Sequence, residues 1–455
     1  MLGTFDTMLE RRVQMRPIKL TFVALFIGLT LLWLLSGGLA LPRYHFWPVR
    51  KMLVEYSGVL AMGAMSVAMI LAARPGRFER FFDGLDKTYR LHKWLGISAL
   101  VVGTVHWGWA QVPKWLVGWG LLTKPAKGGG AGPEGFFGWL HGFRGIAEDI
   151  GEWAFYAAAI LLVLALVKRF PYHWFFRTHR WLALIYLALV LHSVVLTPPA
   201  WWSQPLGIVQ ALMMIAGSVA ALISLTRRIG RKHQVIGHIR SLTHHRDNQV
   251  LRVEIQLDGA WPGHQAGQFA FVTFDRKEGP HPFSLSSAWR DDGLLAFSIK
   301  GLGDYTRTLP VRLKVGDAVK VEGPYGCFDF RGDKPRQIWI AGGIGIAPFI
   351  GQLQALADRG QGTPVDLFYS TSAPDEGFIE RVRKLAERAS VRLHVLVASR
   401  DGRLTPERLR QLVPHWRECD IWFCGPLGFA RDLRTDLQAH GLAPDDFHQE
   451  LFDMR

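Results

Sequence analysis

Between residues 181 and 226 the chain runs for 46 residues without an acidic or basic side chain. That is enough for two passes through a bilayer, each of which needs about 20 mostly apolar residues. The run cannot be a single helix, because Pro198 and Pro199 in TPPAWW would remove backbone donors and clash with the preceding turn. Four shorter uncharged stretches precede it, at 20–42, 56–73, 94–113 and 153–167. Together these predict six membrane-spanning helices. The fourth is the shortest and starts beside Glu148, Asp149 and Glu152. The first follows Arg11, Arg12 and Arg16, as a signal peptide would. Its apolar core is longer than a signal peptide's and further spans follow, so it is expected to remain as a span.

Lysine and arginine flanking the spans set the orientation. One side collects 18 of them, from the N-terminal tail, the 74–93 and 168–180 connections and the segment just after 226; the other side collects 7. The richer side is expected to be cytoplasmic, which puts both termini and everything after residue 226 inside a multi-pass protein of the cell's inner (plasma) membrane. The formal charge of +15 is explained by this framing of the spans, and no nucleic-acid motif accompanies it. The three cysteines, Cys327, Cys419 and Cys424, fall in the cytoplasmic part, where thiols stay reduced. Three are too few for the four thiolates of an ordinary iron–sulfur cluster.

Two of the expected spans carry paired histidines: His92 and His106, fourteen apart, in RLHKWLGISALVVGTVHW, and His179 and His192, thirteen apart, in THRWLALIYLALVLHS. At about 1.5 Å per residue these spacings are rises of roughly 21 and 20 Å. Both spans run from inside to outside, so His92 is level with His179 and His106 with His192. Two levels of two imidazoles match two stacked b-type haems. A lone histidine in such a place could instead bond a neighbouring carbonyl, but four in register point to iron ligation. On an ideal helix fourteen steps return to within about 40° of the starting face, whereas thirteen miss by about 140°. The fifth span must therefore bend, widen a turn, or present its histidines from different sides. His45, His141 and His173 lie outside the register, His173 being the alternative to His179. Arg90, Lys93, Arg177 and Arg180 either pair with haem propionates or simply mark the inner face.

After the basic linker RRIGRK the period changes. QVLRVEIQL, GQFAFVTF, LLAFSIK and AVKVEG read as strands of a small antiparallel barrel. From RQIWIAGG onward, strands alternate with amphipathic helices, as in a parallel sheet with crossover helices. HPFSLSS sits between strands and offers His281, Pro282, Phe283, Ser284, Ser286 and Ser287, an aromatic face and hydroxyls suited to a flavin. KGLGDYT (Lys300, Gly301, Gly303, Tyr305, Thr306) and EGPYG (Gly323, Gly326) supply further backbone and hydroxyl groups. Gly342, Gly343 and Gly345 form a turn that would let a pyrophosphate approach a helix N-terminus. Pro348 stands where the dinucleotide fingerprint has its third glycine, a departure from that fold. DIWFCGP ends a strand with Cys424, Gly425 and Pro426 at the edge where such sheets bind ligands.

On these motifs the chain resembles the transmembrane ferric reductases and NADPH oxidases, including their bacterial members, over almost its whole length. The resemblance implies haem iron on His92, His106, His179 and His192. HPFSLSS looks like the membrane branch's FAD motif, with His281 and Phe283 where the wider ferredoxin reductase superfamily has Arg and Tyr. It also implies that GLGDYT contacts FAD phosphates, that GGIGIAP and CGP receive NADPH, and that Phe452 covers the flavin; Cys424 and Phe452 are the expected catalytic residues. FYSTSAPDEG lacks an arginine for a 2′-phosphate, which Arg400 and Arg403 would have to supply, so NADPH is expected with NADH as the alternative.

The expected architecture is thus multi-domain: a cytoplasmic tail (1–16), a six-helix transmembrane α bundle (17–226), a basic linker (227–234), a β-barrel FAD-binding domain (235–331) and an α/β nucleotide-binding domain (332–455). The expected activity is transfer of electrons from NAD(P)H through FAD and two haems to oxygen or a ferric chelate outside. The competing readings are an electron-transfer subunit serving an extracytoplasmic protein and a membrane-tethered flavin reductase with a cytoplasmic acceptor.

Overall fold

The computed structural model of the chain describes residues 16–37, 45–123, 135–167, 169–360 and 362–450. They form two compact units, one built mainly from residues 17–229 and the other from residue 230 onward.

The described residues of the first unit are helical. The long helices are α1 (Arg16–Leu35), α2 (Phe46–Ala72), α4 (Leu85–Gly118), α6 (Arg144–Leu166), α8 (Trp181–Leu196) and α9 (Pro205–Leu225). Short helices α3 (Gly76–Phe81), α5 (Gly135–His141) and α7 (Tyr172–His179) lie between them. Five stretches among the described residues are long and apolar enough to cross a bilayer: Pro17–Leu35, Phe46–Ala72, Arg144–Leu166, Tyr172–Leu196 and Pro205–Leu225. The remaining expected span, 94–113, lies within α4. That helix is long enough at 34 residues, but His106, Gln111 and the indoles of Trp94, Trp107 and Trp109 dilute its apolarity.

Inside hydrocarbon, helices associate through close backbone approach and shared polar groups. Here α9 lies along α2, and α6 along α8. A Cβ on Gly63 would overlap the Leu29 side chain, and one on Gly217 would overlap the Tyr186 hydroxyl. The Ser66 and Tyr186 hydroxyls lie 2.9 Å apart and satisfy each other between helices. The phase problem of the fifth span is resolved by a break: α7 ends at His179, and a turn at Arg180 precedes α8. Ala183 N–H donates to Arg180 O, only three residues back, at 3.0 Å.

The second unit begins with β1 (Gln234–His245), β2 (Val250–Leu257), β3 (Phe269–Thr273), β4 (His281–Ser284), β5 (Leu294–Lys300), helix α10 (Asp304–Arg312) and β6 (Ala318–Tyr325). The six strands form one antiparallel sheet in the order β4-β3-β6-β1-β2-β5. Its edges meet at a bridge between Leu285, just beyond β4, and Phe297 in β5. HPFS, expected between strands, is itself edge strand β4: it pairs with β3 from Phe269–Ser284 to Val272–His281.

There follow β7 (Arg336–Gly342), α11 (Ala347–Arg359), β8 (Val365–Thr371), α12 (Glu376–Arg388), β9 (Arg392–Val397), α13 (Pro406–Leu412), β10 (Cys419–Cys424), α14 (Leu427–Ala439) and β11 (Phe447–Gln449). The strands form a parallel sheet in the order β11-β10-β7-β8-β9. Alternation along each strand builds two cores. Trp339, Ala341, Trp422 and Cys424 face a core shared with Phe349, Leu353 and Phe378, while Ile338, Ile340, Ile421 and Phe423 face one shared with Ala430, Leu433 and Leu437.

The buried Asp366 of β8 accepts a 2.9 Å bond from His394 and lies 3.6 Å from Arg392 and 3.7 Å from Arg336. Burial alone would raise its carboxyl pKa, but the His394 bond and the two arginines hold it below the ordinary value. Asp366→Asn is expected to cost about 1–3 kcal/mol, seen as a lower thermal midpoint at neutral pH. The wild-type contribution is present above the usual carboxylate range and is lost as pH falls through the depressed folded-state value, so the two melting curves should converge in acid.

Candidate functional site

In the membrane unit the two histidine levels are formed. The rings of His92 and His179 lie 5.9 Å apart, centre to centre, at 69°. Those of His106 and His192 lie 6.3 Å apart at 83°. It is His179 that stands opposite His92. A metal–imidazole bond is about 2.0–2.1 Å long, so two rings facing each other across one metal have centres about 6 Å apart. Both pairs have that spacing.

The hydrogen bonds select which ring nitrogen is available. His92 Nδ1 lies 2.9 Å from Ala68 O, His106 Nδ1 2.9 Å from Val54 O, and His192 Nδ1 2.7 Å from Ala147 O. A carbonyl only accepts, so each Nδ1 carries the proton and each Nε2 keeps its lone pair. His179 Nδ1 is buried with no hydrogen-bond partner among the described residues. The outer pair is seated on glycines one turn beyond the accepting carbonyls. A Cβ on Gly58 would come within 3.2 Å of the His106 ring, and one on Gly151 would overlap the His192 ring. Sequence reasoning missed both; a glycine inside an apolar span was the only available sign.

The outer pair opens into a cavity of about 1090 Å³ also lined by Arg50, Gln111, His141, Arg144 and Glu152. Arg50 is anchored through Nε to Trp109 O at 3.0 Å and Nη2 to Ala110 O at 2.9 Å. Tyr156 donates to Glu152 at 2.7 Å, Gln111 also bonds Glu152, and Trp107 donates to the Tyr156 oxygen at 3.2 Å. At the inner level, Arg177 lies over Trp174 and Arg180 over Phe176.

In the second unit most of the expected flavin and nucleotide motifs converge on one edge. Strand order reverses between β7 and β10, and a crevice at the carboxyl ends of strands on either side of such a reversal is where open α/β sheets bind ligands. Gly342, at the end of β7, leaves no room for a side chain: its Cβ would lie 2.7 Å from Pro426. A Cβ on Gly345 would overlap Cys424 O. Gly343 has φ +57, and Lys300 Nζ lies 4.0 Å from where its Cβ would be. Pro348 is in the first turn of α11, where its missing N–H costs nothing. Gly351 of α11 packs on Leu285 O and Ser287 O, joining the turn to HPFSLSS.

Within HPFSLSS, His281 stacks on Tyr305 at 4.8 Å and 25° and on Phe283 at 6.2 Å and 13°. Burial, and then contact with Gly279 and Asp304, leaves the His281 pKa below its ordinary value. The Ser284 hydroxyl is buried without a hydrogen-bond partner among the described residues. Ser286 instead bonds Ser298 at 3.2 Å, and Ser287 accepts Ala296 N–H at 3.0 Å, so these two hydroxyls hold the sheet. Thr306 Oγ1 accepts Leu302 N–H and Gly303 N–H and shapes the Gly301–Gly303 loop. Gly323 and Gly326 lie at the end of β6, the latter 3.6 Å by its Cβ position from the Glu450 carboxylate. Burial, reinforced by Glu450, pushes the Cys424 thiol well above its usual pKa. Glu450 is a buried acid that sequence reasoning missed, since a single Glu in FHQE carries no pattern. Arg400 and Arg403 are exposed in the loop after β9, and Phe452 lies outside the described residues.

Residues 57–190 match the family of the ferric reductase like transmembrane component, and residues 339–435 match the oxidoreductase NAD-binding domain. The chain is 28% identical over 200 residues to the toluate 1,2-dioxygenase electron transfer component of Pseudomonas putida, covering 41% of this chain and 58% of that protein. It is 31% identical over 178 residues to an NADPH oxidoreductase of Mycobacterium tuberculosis, covering 37% and 47%. The chain thus spans about half the length of these curated relatives. A solved FAD/NAD-binding domain of a nitric oxide dioxygenase from Vibrio cholerae is 23% identical, with a TM-score of 0.42 over 48% of this chain and 97% of that one. With its apolar helices and its nucleotide crevice, the chain is an oxidoreductase in which a ferric reductase-like transmembrane domain is fused to a ferredoxin reductase-type domain for FAD and NAD(P)H.

Proposed function

We propose that this chain moves electrons from cytoplasmic NAD(P)H through FAD and two b-type haems to an acceptor on the outer side, molecular oxygen or a ferric chelate. The observation that carries the reading is the pair of facing imidazole couples, 5.9 and 6.3 Å between ring centres. They are set about 21 Å apart along α4. Among the described residues no three His, Cys, Asp or Glu assemble into a site for a metal ion. A two-ligand axial set suits iron whose other four positions belong to a porphyrin. With both faces occupied, such iron has no open position, which favours relay over ligand activation.

When bound, FAD supplies the conversion of a hydride into single electrons, and haem supplies one-electron steps. The chain's own residues bind and orient. Ala68 O, Val54 O and Ala147 O hold the ring protons of His92, His106 and His192, so that each Nε2 faces inward. Ser284 offers its buried hydroxyl to the flavin. Gly342, Gly343 and Gly345 leave room for a pyrophosphate beside Gly425 and Pro426. The protonated Cys424 keeps a neutral surface at the crevice floor. Helix α4 is the sixth crossing in this reading, because His106, Trp107 and Gln111 turn toward the outer cavity rather than lipid. The excess of Lys and Arg on one side places both termini in the cytoplasm, and the domain limits follow the linker at 227–234.

Purified protein should show haem absorbance that NAD(P)H reduces and that air or ferric citrate reoxidises. In His106→Leu, haem content should fall to one per chain and acceptor reduction should stop while nucleotide still bleaches the flavin. Unchanged acceptor reduction would sink the relay. Gly151→Ala, which forces the His192 ring aside, should lower retention of the outer haem by about ten- to a hundredfold, measured by haem titration. Gly145→Ala meets nothing within 4 Å and should retain it.

A further inference from the structure

The edge of the nucleotide crevice beyond β8 carries information about which nicotinamide nucleotide it takes. In open α/β sheets, the end of the strand neighbouring the glycine turn meets the adenosine ribose. An acid there bonds the 2′-hydroxyl, whereas an arginine accommodates a 2′-phosphate. Here that strand is β8, paired with β7, and its end runs through residues 370–377, STSAPDEG.

Three groups at this end could hold a phosphate dianion, and each is already engaged. The N-terminus of α12 is capped by Asp375, whose Oδ1 accepts Phe378 N–H at 2.8 Å. The same carboxylate lies 3.6 Å from His245. Arg400 is bracketed by acids, Nε 3.3 Å from Asp401 and Nη1 3.9 Å from Glu376. The Thr371 hydroxyl exchanges 3.2 Å bonds with Ala373 N and Ala373 O. Glu376, with 76% of its side chain exposed, presents its charge at the rim in the first turn of α12. A 2′-phosphate would meet Asp375 and Glu376 before any free cation of this segment. A ribose 2′-hydroxyl would meet an acceptor.

We propose that the chain is specific for NADH, with Glu376 accepting the 2′-hydroxyl of the adenosine ribose and, together with Asp375, repelling a 2′-phosphate. This rests on the reading that NAD(P)H reduces a flavin bound here, and it replaces the NADPH expected from the motifs.

The test is anaerobic stopped-flow bleaching of the flavin band in the full-length, FAD-loaded protein in detergent, with NADH or NADPH at sub-saturating concentration. The second-order rate constant for NADH should exceed that for NADPH by about tenfold or more, the scale of one charge-assisted contact. Glu376→Gln should shrink the ratio, chiefly by slowing NADH. Glu387→Gln, which removes the same charge at the far end of α12, should leave it unchanged. Equal or faster bleaching by NADPH overturns the proposal, and loss of NADPH bleaching in Arg400→Ala or Arg403→Ala would identify the arginine responsible. Flavin that neither nucleotide bleaches also overturns it, together with the cytoplasmic part of the electron path. Flavin bleached by NADH beside haem that stays oxidised supports the preference and removes the relay alone.

Discussion

A ring proton inside a bilayer has to be given to something, because hydrocarbon offers no water to take it. Three of the four intramembrane histidines give theirs to a carbonyl of a neighbouring helix. That single type of bond does three things at once. It satisfies the imidazole, ties α4 to α2 and α8 to α6, and leaves the opposite nitrogen as a bare donor pair aimed into the space between rings. The small residues and the inter-helix hydroxyl pair of Ser66 and Tyr186 serve the same requirement, letting backbones and polar groups reach one another where lipid cannot help.

The cytoplasmic crevice depends on a different economy of space. Gly342, Gly343, Gly345 and Gly425 come together at the reversal of strand order, where backbone must meet backbone and then a ligand. Around them the polar groups divide by function. Ser286, Ser287 and Thr306 spend their hydroxyls on the framework, while Ser284 keeps its own. The division is visible only in three dimensions, because all four hydroxyl groups sit in motifs that look equally exposed to a cofactor on paper.

The histidine spacing was legible because a helix converts residue count directly into height, and the two rises agree. The mismatch of thirteen residues was legible as a conflict, but its resolution was not: nothing in THRW announces a break, since Arg180 and Trp181 are both acceptable helix formers. The span count was harder to read from α4, whose functional side chains make it the least apolar of the six. Strand alternation in QVLRVEIQL and RQIWIAGG made both sheets readable. HPFS escaped because Pro282 belongs only on an edge strand, which is where the sheet places it. Glu450, Gly58 and Gly151 had no periodic signature, for their meaning lies in contacts made across long stretches of chain.

The turn at Arg180 divides one wall of the two-level site into separate bodies. His92 and His106 ride on a continuous rod and can only shift in concert, whereas His179 and His192 are borne by α7 and α8 and are free of each other's rotation. A change in bilayer thickness, which helices absorb by tilting, would therefore be felt unequally: the outer ring could follow α8 while the inner one kept its seat. Iron–imidazole alignment at the two heights thus becomes separately tunable by lipid, on a scaffold that otherwise presents them as twins.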